Sequence, residues 1–335
     1  MSPKISCVSL KAEREYCFAT AQEAIAAIGS FPQRLNAIAQ AQKQRGELVI
    51  DQIYPTEVIA IRPRRTQAPP LILLGGMGHL AGLGGFEQAC KRFQNTREIV
   101  LFQACSLHNR TSVIEHETCQ SANSSEQQFV TMFAAAVVKA MEYVRSSEKT
   151  IHIMVLCNTA HYFLPKVRQQ LKYHHPQVFI RLQWFSLVES VVDYLQWQNL
   201  GQPLILCTNG TKQGRVYSHP LERAGIAYTE LNDTLQSILM DGIYQGVKAF
   251  ERDFACQAGE KLFRKFLKTD SKIDCIIAGC SEVPYLLDWL KLTASDSVQQ
   301  FLSSVEIIDP VQLALASTSK CVQLCSCSQK MAINR

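Results

Sequence analysis

Residues 151–163 read IHIMVLCNTAHYF. Apart from His152, the first six residues are apolar, and a run of that length without alternation suits a strand buried on both faces. Cys157, Asn158 and Thr159 then break the run with small polar side chains, and Asn or Thr there serves as a helix N-cap. A buried strand that passes through a cysteine into a helix is the repeating unit of a parallel α/β sheet. The same texture extends in both directions. LILLGG (71–76), IVLFQAC (99–105), FIRLQWFSLV (179–188), PLILCTNG (203–210), CIIAGC (275–280) and VEIID (305–309) are further candidate strands. Between them lie helical patterns such as FEQACKRFQ, QQFVTMFAAAVVKAMEYVRSS, TLQSILMDGIYQGVKAF and KLFRKFL. Strands alternating with helices predict parallel sheets covered by helices.

The strands also repeat. LILLGGMG and PLILCTNG open two stretches 133 residues apart, and Cys157 and Cys280 end two strands 123 residues apart. The expected fold is α/β, with two pseudo-symmetric Rossmann-like domains on parallel sheets. Ligands of open α/β sheets sit beyond the carboxyl ends of strands, which predicts a site in the cleft between the domains. Residues 67–175, completed by 306–335, are read as the first domain and 176–305 as the second. Residues 1–66 are read as an N-terminal extension. Glu15 to Gln44 carries a helical pattern broken at Gly29–Pro32, ELVIDQIY is strand-like, and RPRRTQAPP is a linker. Because it is amphipathic, this extension is expected to be a helical cover or a dimer contact.

At 335 residues, 47% hydrophobic and 19% charged, the chain has the composition of an ordinary folded protein. A net charge of +5, with its densest basic cluster at Arg62, Arg64 and Arg65 interrupted by Pro63, gives no case for nucleic-acid binding. The N-terminus lacks a signal-peptide pattern and no stretch reaches the length of a membrane span, so a cytoplasmic location is expected. Thirteen cysteines with no regular framework are read as free thiols in a reducing compartment, most of them small buried hydrophobes. Cys321, Cys325 and Cys327 lack a second cluster at metal-binding spacing, so no metal site is expected. GGMGHLAGLGG lacks the register of a dinucleotide fingerprint.

Cys157, in LCNTAHYFLP, and Cys280, in AGCSEVPYLL, stand out because they share one frame of strand end, thiol, hydroxyl or amide residue and helix start. A thiol at a helix N-terminus feels the positive end of the helix dipole, which lowers its pKa and makes it a usable base. His161 either tunes Cys157 or lies at the surface. Inverting an amino acid at its α-carbon removes a proton from one face and returns one to the other. Two thiols, one as base and one as acid, suit that reaction. The carbanion needs hydrogen-bond donors on its carboxylate, and Asn158, Thr159 and Ser281 are placed to supply them.

CNTAH and GCSE, in that order, resemble the two catalytic-cysteine motifs of the cofactor-independent aspartate/glutamate racemase family. The resemblance covers most of residues 71–320. LLGGMGHLAG resembles its glycine-rich strand–turn, NRT at 109–111 its Asp-Arg-Thr stretch, and NGTKQGRVY its Gly-Thr-Lys turn. DGIYQGVK and IIDPVQLALA resemble the family's next helix and its Asp-Pro close. Glu282 stands where glutamate racemases of the cell-wall pathway carry His, so the chain looks more like the aspartate racemase branch. The resemblance implies Cys157 and Cys280 as catalytic residues. It implies Gly76, Met77, Arg110, Asn158, Thr159, Lys212, Ser281 and Glu282 as substrate-binding residues, with Arg110 and Lys212 on the substrate carboxylates. It further implies no cofactor, no metal, a small acidic amino acid as substrate and a homodimer. Gly78–His79 and His108–Asn109 depart from the family's usual Gly-Pro and Pro-Asp. These departures keep open a related reaction (decarboxylation, cis–trans isomerisation or another racemase substrate) or a non-catalytic binding protein on this fold.

Overall fold

The uninterrupted apolar runs become the inner strands of two sheets. The computed structural model describes residues 10–47, 54–76, 78–105, 107–116, 123–146, 148, 150–269 and 272–318. The chain divides into two units, one of residues 1–153 and 163–182, the other of residues 154–162 and 183–335.

The first sheet contains β1 (Arg14–Phe18), β2 (Glu57–Ile61), β3 (Leu71–Gly75), β4 (Ile99–Gln103), β5 (Ile151–Val155) and β6 (Leu182–Phe185) in the order β1-β2-β4-β3-β5-β6. Every residue of β3, β4 and β5 is buried, which is why LILLG, IVLFQ and IHIMV carry no polar alternation. The helices His79–Phe93 and Asn123–Met141 pack on β3. β3 and β4 run parallel as expected, but β2 runs antiparallel to β4 and parallel to β1, so this sheet is mixed.

Arg14–Phe18 and Glu57–Ile61 are therefore strands of the first sheet, which corrects the reading of an appended helical cover. The helical pattern expected from Glu15 starts too early: REYCF is β1. The helix begins after it, where the Thr20 hydroxyl accepts from the Glu23 amide at 3.2 Å. The predicted break holds, with one helix over Ala21–Ile28 and the next over Phe31–Gln44. Their apolar faces are covered within the chain, with Ala24, Ile28, Phe31, Leu35 and Ala39 all buried. The second helix is tied to β2 by a fork: Arg34 donates to both Glu57 carboxylate oxygens, at 2.8 Å for Nη2 to Oε2. Most of ELVIDQIY lies outside the described residues; the strand of this region is EVIAI, buried at all five positions.

The second sheet is wholly parallel. It comprises β7 (Pro203–Ile205), β8 (Thr229–Glu230), β9 (Cys275–Ile277) and β10 (Glu306–Ile308) in the order β10-β9-β7-β8. Its core gathers Val191, Leu195, Ile205, Cys207, Tyr217, Leu221 and Ile277. The pairing of β10 corrects the expectation that 306–335 completes the first domain. Glu306 to Ile308 pair in register with Cys275 to Ile277, so the segment is an edge strand of the second sheet. Cys321, Cys325 and Cys327 lie outside the described residues. Among the described residues, no helix is long and apolar enough to cross a membrane.

Candidate active site

Seven of the ten candidate residues lie in the second unit: Cys157, Asn158, Thr159, Lys212, Cys280, Ser281 and Glu282. Gly76, Met77 and Arg110 lie in the first, with Met77 outside the described residues.

Cys157 is two residues past the end of β5 and is half-buried. No α-helix starts directly after it. Thr159–Tyr162 forms a single 3₁₀ turn, so the expected strand–thiol–helix frame is only approximate at this cysteine. The turn is anchored by His161, which is buried and neutral: burial drives its imidazole down to about 4. Its Nε2 accepts from the Leu187 amide at 3.2 Å, which leaves the proton on Nδ1. Nδ1 then donates to the Cys157 carbonyl at 2.9 Å. His161 thus holds the backbone of Cys157 and is not hydrogen-bonded to its sulfur. It is neither the surface residue nor the thiol partner that spacing alone suggests.

Cys280 fits the expected frame. β9 ends at Ile277, two residues intervene, and Glu282 precedes the helix Val283–Thr293, with Pro284 in its first turn. The thiol is buried and donates to the Glu282 carboxylate, Sγ to Oε2 at 3.0 Å. Burial first, then the negative charge of Glu282, hold this thiol well above its ordinary range, while the charge of Lys248 acts the other way. Glu282 is itself buried, and among the described residues its other oxygen, Oε1, has no hydrogen-bond partner.

The two cysteine loops are joined directly. The Ser281 hydroxyl donates to the Leu156 carbonyl at 2.7 Å, and Asn158 Nδ2 donates to Ser281 Oγ at 3.4 Å. Thr159 joins a buried ring of hydroxyls with Thr208 at 3.1 Å and Thr211 at 2.8 Å, the latter two being 3.2 Å apart. Thr208 is the N-cap of the short helix Asn209–Gln213, which carries Lys212. Lys212 Nζ donates to the Leu231 carbonyl at 2.7 Å. Nothing in the sequence signals the parts played by Tyr217, Thr208, Thr211 and Lys248. Tyr217 donates to Asn158 Oδ1 from 59 residues away, and Thr208 and Thr211 are ordinary members of a turn.

In the first unit, Gly76 is buried at the end of β3 with φ +91°, and a Cβ there would come 2.5 Å from the Ala104 nitrogen, so only glycine fits. Arg110 is buried at the start of the helix Arg110–His116 and donates from Nη1 to the His108 carbonyl at 3.0 Å. All eight cysteines among the described residues are free. Cys90, Cys207 and Cys275 are buried structural thiols, with burial pushing Cys90 up to about 12 and raising the other two as well.

A family model described as Asp/Glu/Hydantoin racemase matches residues 100–318 of this chain. Two solved structures share its fold. The aspartate racemase of Picrophilus torridus is 17% identical, with the match covering 76% of this chain and 95% of that one, at a TM-score of 0.55. An aspartate racemase homologue from Pyrococcus horikoshii OT3 is 16% identical over 76% of this chain and 99% of that one, at a TM-score of 0.52. At these identities the likeness is one of fold.

Proposed function

The chain belongs to the Asp/Glu/hydantoin racemase family, and we propose that it inverts the α-carbon of an acidic amino acid, aspartate foremost, with Cys157 and Cys280 as its two proton carriers. The observation that carries this reading is the direct link between the two cysteine loops, Ser281 to Leu156 and Asn158 to Ser281. In the forward direction the thiolate of Cys157 takes the α-proton as the Cα–H bond breaks. The S–H bond of Cys280 then breaks as its proton reaches the opposite face of the carbanion. Thiol and thiolate exchange places, and the reverse reaction runs with the roles swapped. The step is redox-neutral, with one proton arriving at Cys157 and one leaving Cys280, and the proposed route uses neither pyridoxal phosphate nor a metal.

The Cys280–Glu282 hydrogen bond supports assigning Cys280 as the resting proton donor. Asn158 and Thr159 are the donors we assign to the substrate α-carboxylate, and Arg110 and Lys212 the cations for its two carboxylates. Aspartate is preferred because Glu282 stands where cell-wall glutamate racemases carry His. Solvent-deuterium exchange at the α-carbon, with Cys157→Ala and Cys280→Ala variants, tests the reading. The expected result is loss of racemisation in both, and single variants that racemise at the parent rate would overturn it. Offering the enzyme L-aspartate and L-glutamate side by side decides the substrate; faster inversion of glutamate would displace aspartate.

A further inference from the structure

The link between the cysteine loops includes a residue with no part in proton transfer. Its proton positions are dictated by the bonding partners. The Leu156 carbonyl can only accept, so the single hydroxyl proton of Ser281 points to it. Ser281 Oγ must then accept from the Asn158 amide nitrogen, 3.4 Å away. That turns Asn158 Oδ1 the other way, where its partner is the Tyr217 hydroxyl, which therefore donates. Asn158 and Tyr217 are both buried. Among the described residues, one hydrogen of the Asn158 amide is left uncommitted. An amide held by only one of these two contacts is free to flip, and a flip replaces that donor with an acceptor.

The ring of Tyr217 has a second contact. It lies against Gly279, the residue before Cys280, where an added Cβ would come 3.2 Å from Tyr217 Cε2 and 3.0 Å from Cys207 Cβ. One side chain therefore touches the residue after Cys157 with its hydroxyl and the residue before Cys280 with its ring.

We propose that Tyr217 is a positioning residue for this racemisation: its hydroxyl fixes the direction of the Asn158 amide, and its ring sets the backbone that presents Cys280. The inference rests on the two-thiol reading, in which Asn158 is a donor to the substrate carboxylate. Tyr217 itself touches no reacting atom.

The test is a double-mutant cycle with two readouts: racemisation kinetics, and alkylation of Cys280 by iodoacetamide followed by mass spectrometry on the full chain. Tyr217→Phe keeps the ring and removes the donor. We expect kcat/KM to fall about tenfold, mainly through KM, as the loss of one buried hydrogen bond would produce, and Cys280 to alkylate several-fold faster, because a freed Asn158 amide no longer holds Ser281, the residue after Cys280. In an Asn158→Ala background, Tyr217→Phe should change neither readout further, because the amide it orients is gone. Equal losses in both backgrounds, or a Tyr217→Phe enzyme with parent kinetics and parent alkylation, overturn the proposal. If Tyr217→Phe does not fold, Ser281→Ala loosens the same amide from its other side and must give the same two changes; parent behaviour there also overturns it. A parent protein that racemises no acidic amino acid sinks the function proposed above, and the alkylation cycle still decides whether Tyr217 holds the two loops.

Discussion

The loops around Cys157 and Cys280 look alike in sequence and differ in chemistry. Cys157 is half-buried, is succeeded by a 3₁₀ turn, and has its carbonyl held by a neutral histidine. Cys280 is buried, sits at the start of an α-helix, and has its sulfur held by a carboxylate. A buried carboxylate beside a thiol favours the protonated sulfur, since two neighbouring negative charges out of water are costly. The two positions are thus alike along the chain, but at Cys280 a carboxylate holds the thiol proton and at Cys157 a histidine holds the carbonyl. Such asymmetry is useful to a two-thiol enzyme, whose turnover begins with one base and one acid rather than two of either.

The largest effect should come from removing either sulfur. Cys157→Ala and Cys280→Ala are each expected to lower kcat by about three orders of magnitude, the upper part of the range for a positioned acid or base. The variants should differ in one respect, and that difference tests the comparison. If Cys157 is the base for one enantiomer, Cys157→Ala should abolish solvent-deuterium exchange from that enantiomer while exchange from the other survives, and Cys280→Ala should do the reverse. Identical loss from both enantiomers in both variants would remove the assignment of roles.

Next in size is Glu282→Gln. Replacing the charge takes away part of what holds the Cys280 proton, so its alkylation profile should move to lower pH while that of Cys157 stays in place. Racemisation should fall about a hundredfold, within the range for a group that tunes an acid. An unchanged Cys280 profile would mean that burial alone holds the thiol.

His161 marks how far the sequence can be read. The strands are legible because β3, β4 and β5 are buried throughout, a condition that leaves its trace in each residue type. The frame of Cys280 is legible for a similar reason, as Pro284 and the apolar run after it announce a helix. β1 is hidden because Phe18, Ala21 and Ile25 continue a helical spacing across the true start at Thr20. β10 is ambiguous because nothing in EII says which sheet it joins. The partners of His161 and Tyr217 are illegible for the same reason: Leu187 and Asn158 reach them through tertiary packing, 26 and 59 residues away.

Folding depresses the His161 imidazole from about 6.5 to about 4. Below pH 6.5 the unfolded chain therefore binds a proton that the folded chain refuses, and stability is lost as the pH falls toward 4. The loss amounts to about 3 kcal/mol across that window. His161→Gln should flatten this part of a stability-versus-pH curve measured by urea unfolding. A variant with the parent's slope would show that the imidazole titrates freely and does not clamp the Cys157 carbonyl.

The smallest expected effect separates holding a loop from holding a substrate. Thr159, Thr208 and Thr211 form a closed ring of three hydroxyls on the Cys157 side, each with one proton to give. Thr211→Val and Thr159→Val should each remove two of the ring's three hydrogen bonds and cost about 2 kcal/mol of stability, at about 1 kcal/mol for each bond. If the ring serves only to brace the turn after Cys157, the two variants should also match in kinetics. If the Thr159 hydroxyl turns to the substrate carboxylate, Thr159→Val alone should raise KM several-fold. The melting temperatures then set the baseline, and the difference in KM between two equally destabilised variants gives the contribution of that one hydroxyl to binding.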